Sequence, residues 1–122
     1  MSIFSDIYTD LNVTTVTNVV DDISPYVRAR GSSFPAVIIE VPTQNFERLS
    51  SGVYRTASSV TLTCLARSVL EAEAVSEAVL AAATDNVCNV IESIDRDYEE
   101  GYDDDSVGTF IVTINYTNYK GV

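Results

Sequence analysis

Apolar and polar positions alternate along this chain with two periods, and the switches between them mark its elements. Ile3, Ile7 and Leu11 recur every four residues, with Phe4 and Tyr8 beside them. That spacing predicts a short amphipathic helix, with Ser2 as its N-cap. From Val13 to Val20 two signals compete. The β-branched run favours a strand, whereas the spacing of Val13, Val16, Val19 and Val20 favours a helix face, and the segment is read as a second short helix. Asp21-Asp22 mark a turn. Ile23 to Ala29 reads as a short extended segment whose Pro25 suits a sheet edge. Gly31-Ser32-Ser33 is a loop, and Pro35 holds Phe34 extended.

Ala36 to Val41 is apolar on both faces, which predicts a central strand ended by Pro42. Residues 43–56 are polar and contain Ser50-Ser51-Gly52, which predicts a long hairpin connection or a projecting arm or loop. Val60 to Ala66 is a second strand, with Val60, Leu62, Cys64 and Ala66 on one face and Thr61, Thr63 and Leu65 on the other. Ser68 and Glu71 then form a capping box that opens the clearest helix, about 69–84. Leu70, Ala74, Val75, Ala78, Val79 and Ala82 make its expected apolar face, and Glu73, Ser76 and Glu77 its polar face. Leu80 falls off that apolar face and is a candidate subunit contact. Val87 to Arg96 reads as a third strand after an Asp85-Asn86 turn, and Thr109 to Tyr119 as a fourth with clean alternation. These elements predict one α/β (α+β) domain over residues 1–122. Its antiparallel-rich sheet has about four strands, with the main helix on one face and a short N-terminal helix.

Composition narrows the chemistry. The 122 residues contain no His, which removes His-based acid–base work, Ser-His-Asp and Cys-His triads, and His metal sites. The five glycines are scattered singly, so no phosphate-binding loop is present. Cys64 and Cys88 both lie in strand-like runs, lack C-x-x-C spacing and are read as buried small hydrophobes. The Asn12-Val13-Thr14 and Asn115-Tyr116-Thr117 glycosylation patterns are chance matches without a secretory route. No apolar run reaches transmembrane length, and the first ten residues have no basic n-region, so neither a span nor a signal peptide is expected. An enzyme is the weakest reading, and no cofactor is expected.

The net charge is −11 and is unevenly placed. Residues 1–70 carry five Arg against six acids, and residues 71–122 carry Arg96 and Lys120 against twelve. With no basic stripe, neither sequence-specific nucleic-acid binding nor docking on an anionic membrane is expected. The acids concentrate at Asp95, Asp97, Glu99, Glu100, Asp103, Asp104 and Asp105. A calcium loop begins well at Asp95-x-Asp97-x-Glu99. It then places Glu100 where Gly is needed and Ser106 where the bidentate Glu belongs. A catalytic carboxylate pair lacks apolar neighbours to raise one pKa. A solvated acidic hairpin tip is the default.

The order of three stretches resembles the small tail-terminator, or tail-completion, proteins of long-tailed bacteriophages. The first is Ile23-Ser24-Pro25-Tyr26-Val27, Gly31, then Phe34-Pro35-Ala36-Val37-Ile38-Ile39. The second is Val60 to Ala66 running into Ser68-x-x-Glu71-Ala72-Glu73-Ala74, Val75 and Val79. The third is the last acidic turn followed by Phe110-Ile111-Val112-Thr113-Ile114. The resemblance spans roughly Asp6 to Tyr119, and the arm at 43–56 and the dense acids at 95–105 depart from it.

It implies a virion structural protein: a homomeric ring, six-membered in that family, which caps the tail tube and joins it to the head-neck connector. Such a protein is made in the host cytoplasm and resides at the tail–neck junction. Its partners would be copies of itself, the tail tube protein and a connector protein, with DNA passing through the ring. A closing ring needs two different patches to meet. Arg28, Arg30, Arg48 or Arg55 facing a neighbour's Glu99, Glu100 and Asp103–Asp105 would supply them. Lining the bore is the competing role for those acids. Another phage head-completion or minor tail component on a similar scaffold is the alternative function. A cellular ligand-binding α/β domain is a further one.

Overall fold

The computed structural model describes residues 3–25, 34–50, 52, 54–97 and 110–121. In chain order the elements are α1 (Ile3–Leu11), α2 (Thr14–Thr17), β1 (Asp22–Pro25), β2 (Ala36–Arg48), β3 (Tyr54–Ala66), α3 (Val69–Asp85), β4 (Asn89–Asp97) and β5 (Phe110–Gly121). The strands form one sheet in the order β1-β2-β3-β5-β4. The edge strand β1 runs parallel to β2, and every other pairing is antiparallel. Both short N-terminal helices and the mixed α+β architecture match the expectation from sequence. The strand count rises from about four to five because the segment at Ile23 joins the sheet, pairing Asp22–Pro25 with Ala36–Ile39. The Ser2 cap and the continuation of that segment past Pro25 lie outside the described residues.

Alternation puts Val37, Ile39 and Val41 of β2, Val60, Leu62, Cys64 and Ala66 of β3, and Val112, Ile114 and Tyr116 of β5 on one face. Ile7, Leu11, Val16, Val75 and Val79 of the helices cover that face and complete the core. Burial pushes the Cys64 thiol up to about 12, so this sulfur behaves as a small apolar group.

Strand β2 does not end at Pro42. It continues to Arg48, and β3 begins at Tyr54, so residues that read as an arm or loop extend the hairpin through the Arg48–Tyr54 pair. The proline is tolerated because it sits in a register shift between Glu40 and Thr43, where the ladder is already interrupted. The connection turns through Gly52, whose φ of 85° is open to glycine at little cost, with Gly52 N–H donating to Leu49 C=O at 2.9 Å.

The Ser half of the capping box forms, with Ser68 Oγ accepting from Glu71 N–H at 3.2 Å, while the Glu71 carboxylate accepts at 3.1 Å from Arg67 N–H, one residue before the N-cap N–H that a capping box engages. The buried face of α3 is rotated from the sequence-based one. Ala72, Val75, Ser76, Val79, Ala82 and Ala83 are buried, whereas Leu70 is 85% exposed and Ala74 is exposed. Small residues win the inner track because they let the helix lie close to the sheet, and buried Ser76 satisfies its hydroxyl on Glu73 C=O at 2.9 Å. Leu80, expected off the core, is half-buried and packs against it. Cys88 lies in the turn before β4 and is exposed, because β4 starts at Asn89 rather than at Val87.

Tyr116 is 1% exposed, and its hydroxyl has no hydrogen-bond partner among the described residues. Burial, and secondarily the Asp10 carboxylate, push its pKa up, so the phenol stays neutral. Tyr116→Phe removes the unsatisfied group while keeping the ring. It is expected to raise stability by about 1 kcal/mol in urea unfolding; a loss of that size would mean the hydroxyl is satisfied.

Candidate functional site

The helices cover only one face of the sheet, and the other face has a distinct composition. Glu40 of β2, Ser59, Thr61 and Thr63 of β3, and Thr113, Asn115 and Thr117 of β5 point to it by alternation from the core residues. From β4 it receives Glu92, Ser93, Asp95 and Asp97. The strands are also joined across this face by side chains. Thr61 Oγ1 donates to Asn115 Oδ1 at 3.0 Å, Asn115 Nδ2 donates to Ser93 Oγ at 3.1 Å and Asp95 Oδ2 at 3.0 Å, and Thr117 Oγ1 donates to Glu92 Oε1 at 2.9 Å. Short hydroxyl and amide side chains, tied to one another, make the part of this face over β5 and β4 polar and acid-bearing, whereas Ile38 of β2 and Leu65 of β3, which alternation puts on the same face, are buried.

The cations at its two ends are engaged. Arg55 donates to Glu47 at 2.7 Å and lies over the Tyr119 ring, and the Arg67 guanidinium lies 3.9 Å from the centre of the Phe34 ring. Among the described residues the middle of this face carries carboxylates and no Lys or Arg, and carboxylates repel a polyanion.

Two of the acids in the cluster that begins at the end of β4, Asp95 and Asp97, are described. Asp95 is held in the lattice just given, and Asp97 ends β4 opposite Ile111. Glu99, Glu100, Asp103, Asp104 and Asp105 lie outside the described residues, as do Arg28 and Arg30. Among the described residues no three His, Cys, Asp or Glu side chains converge on a metal-sized point. Arg48 and Arg55 both lie on the hairpin extension but on its opposite faces: Arg55 is paired as above, and Arg48 lies 5.8 Å from the centre of the Tyr54 ring.

A third feature was not legible from sequence. At the C-terminal end of α3, Asn86 Nδ2 donates to both Asp10 oxygens at 3.3 and 3.1 Å. Asn89 Nδ2 donates to Ala83 C=O at 2.8 Å, and Asn118 Nδ2 donates to Asn89 Oδ1 at 2.6 Å. The network fastens α1 to the α3–β4 turn and to β5. A cleft of about 340 Å³ beside it is lined by Asp6, Cys88 and Lys120 among others, but Lys120 and Asp6 pair with each other at 3.0 Å. Its polar groups serve one another, which is a structural role. The only sequence signal for it was Asn86 as a turn residue.

No helix among the described residues is long and apolar enough to cross a membrane. The chain matches no protein-family model and no curated protein. Its fold is similar to that of a chain in a solved structure described as "Virion of native gene transfer agent (GTA) particle", with a TM-score of 0.64 and 9% identity over 99% of this chain and 96% of that one.

Proposed function

We propose that this chain is a phage-like virion structural protein and, within that class, a ring-forming tail terminator. About six copies would cap the tail tube at the tail–neck junction and join it to the head-neck connector. The observation that carries the class is the likeness in fold to a chain of a gene transfer agent virion, which extends over nearly the whole of both chains. The finer role is supported by the order of segments noted in the sequence and by the helix-free, acid-bearing sheet face. Turned inward in a ring, that face would repeat its carboxylates around the bore and let DNA pass without adhering. Partners are then copies of the chain, the tube protein and the connector, and the role is non-enzymatic. A head-completion or minor tail component is the neighbouring reading on the same scaffold.

The acids at 103–105 decide between two arrangements. Charge reversal by Asp103→Lys, Asp104→Lys and Asp105→Lys together should weaken ring assembly in a salt-dependent way if they meet a neighbour's arginines. Rings that form equally well at every salt concentration, in particles that fail to pass their genome, would place those acids at the bore instead. Light scattering across a salt series reads the first outcome, and DNA delivery by reconstituted particles reads the second.

A further inference from the structure

We infer that the end of the hairpin arm docks on a second copy of this chain, with Phe46 seated in the cleft between α1, α2 and β1 and Arg48 set against Asp21. The inference rests on the self-assembly proposed above and adds the two surfaces that meet.

Phe46 is 73% exposed. One exposed aromatic is ordinary, but its setting is not. Arg48 lies two residues further along the same strand face, over the ring of its cross-strand neighbour Tyr54, itself half exposed. Two aromatic rings and an arginine on one side of a hairpin are the composition of interface hot spots. Arg55, Arg96 and Lys120 each hold a carboxylate of their own chain, whereas no carboxylate among the described residues pairs with Arg48.

The receiving surface is a cleft of about 220 Å³ lined by Tyr8, Thr17, Val20, Asp21, Asp22 and Ile23. Val20 and Ile23 pack against the core and give it an apolar floor, and the Tyr8 ring is exposed at its side. Asp21 is exposed, and among the described residues no hydrogen bond or ion pair engages its carboxylate. An aromatic ring beside a cation that has no carboxylate partner among the described residues thus complements an apolar cleft beside an anion that has no partner among them. Residues 43–56 carry two arginines and one glutamate in a chain of net charge −11, so the arm is attracted to the surface of another copy.

The two patches cannot satisfy each other within one chain. Asp22 pairs with Ala36 at the start of β2, and Phe46 is ten residues further along that strand, roughly 33 Å away at 3.3 Å per residue. Contact between them is head-to-tail, the type that closes into a ring when the rotation per copy allows.

The test uses a Cys88→Ser background to remove the exposed thiol. Chains carrying Phe46→Cys are mixed with chains carrying Tyr8→Cys and treated with a short bismaleimide. A cross-chain product between positions 46 and 8 is expected. Phe46→Ser and Arg48→Glu should each weaken self-association at least tenfold, and Asp21→Arg should restore it in the Arg48→Glu chain. All these positions are exposed, so folding is preserved. If the unmodified chain self-associates but Phe46→Ser does so equally well and no 46–8 product forms, this docking is wrong and the ring reading stands. If the unmodified chain does not self-associate, both fall. Loss of tail-tube binding by Phe46→Ser with self-association intact would assign the arm to the tube protein and overturn the inference.

Discussion

Val79→Asp is expected to leave no folded chain, whereas Leu70→Asp in the same helix should change stability by no more than about 0.5 kcal/mol. Val79 is fully buried between α3 and the sheet, with no cation among the core residues to pair with a carboxylate there. An unpaired buried charge, even one neutralised by a shifted pKa, costs several kcal/mol on top of the lost packing. That consumes most of the roughly 5–15 kcal/mol that holds a domain of this size together. Leu70, in the first turn, projects into solvent, and a carboxylate near the start of a helix also meets the favourable end of its dipole. Circular dichroism and urea unfolding of the two variants check this. A folded Val79→Asp chain, or a strongly destabilised Leu70→Asp chain, would show that the helix lies on the sheet through a different face.

The second large effect concerns DNA. Thr63→Arg places one cation in the middle of the helix-free face, on the central strand and opposite Thr113. Thr63 is partly exposed there beside the buried Ile38 and Leu65, along which an arginine stem can lie with its head in water, so the substitution should leave folding and assembly intact. In a ring whose bore is lined by that face the arginine recurs once per copy, about six times. Six phosphate contacts correspond to a slope of about −5 in log K against log salt, and to a loss of about 10³ in affinity between 50 and 200 mM salt. Fluorescence anisotropy with linear duplex DNA should therefore show retention by Thr63→Arg at low salt and none by the unmodified chain. Binding no stronger than that of Leu70→Arg, on the outer side of α3, would indicate that the helix-free face does not enclose DNA.

Much of the fold was legible because several signals agreed locally. The Ser68–Glu71 cap, the period of Ile3, Ile7 and Leu11, and the alternation from Phe110 to Tyr116 each name an element by themselves, and each formed. Errors arose where two rules competed. Pro42 predicts a stop, yet a register shift absorbs its missing N–H and the strand continues. Hydrophobicity predicts Leu70 inside, but close helix–sheet approach favours Ala72, Ser76 and Ala83. Cys88 followed an apolar run that belongs to a turn.

The candidate site was less legible. Charge singles out Arg48 and Arg55, which the structure places on opposite faces of the arm, but nothing in the sequence links Phe46 to the cleft beside Asp21. The polar face was visible only as alternate Thr and Asn residues. Its meaning depends on three strands being neighbours in the order β3-β5-β4, which the sequence does not state.

Electron microscopy of the purified chain at high concentration tests most directly whether it is built to join copies of itself. The account predicts closed rings of about six copies, roughly 80 kDa from chains of 13.3 kDa, with sheets toward the opening and α3 toward the rim. Isolated 13.3 kDa particles at every concentration, or rings with α3 lining the opening, would contradict it.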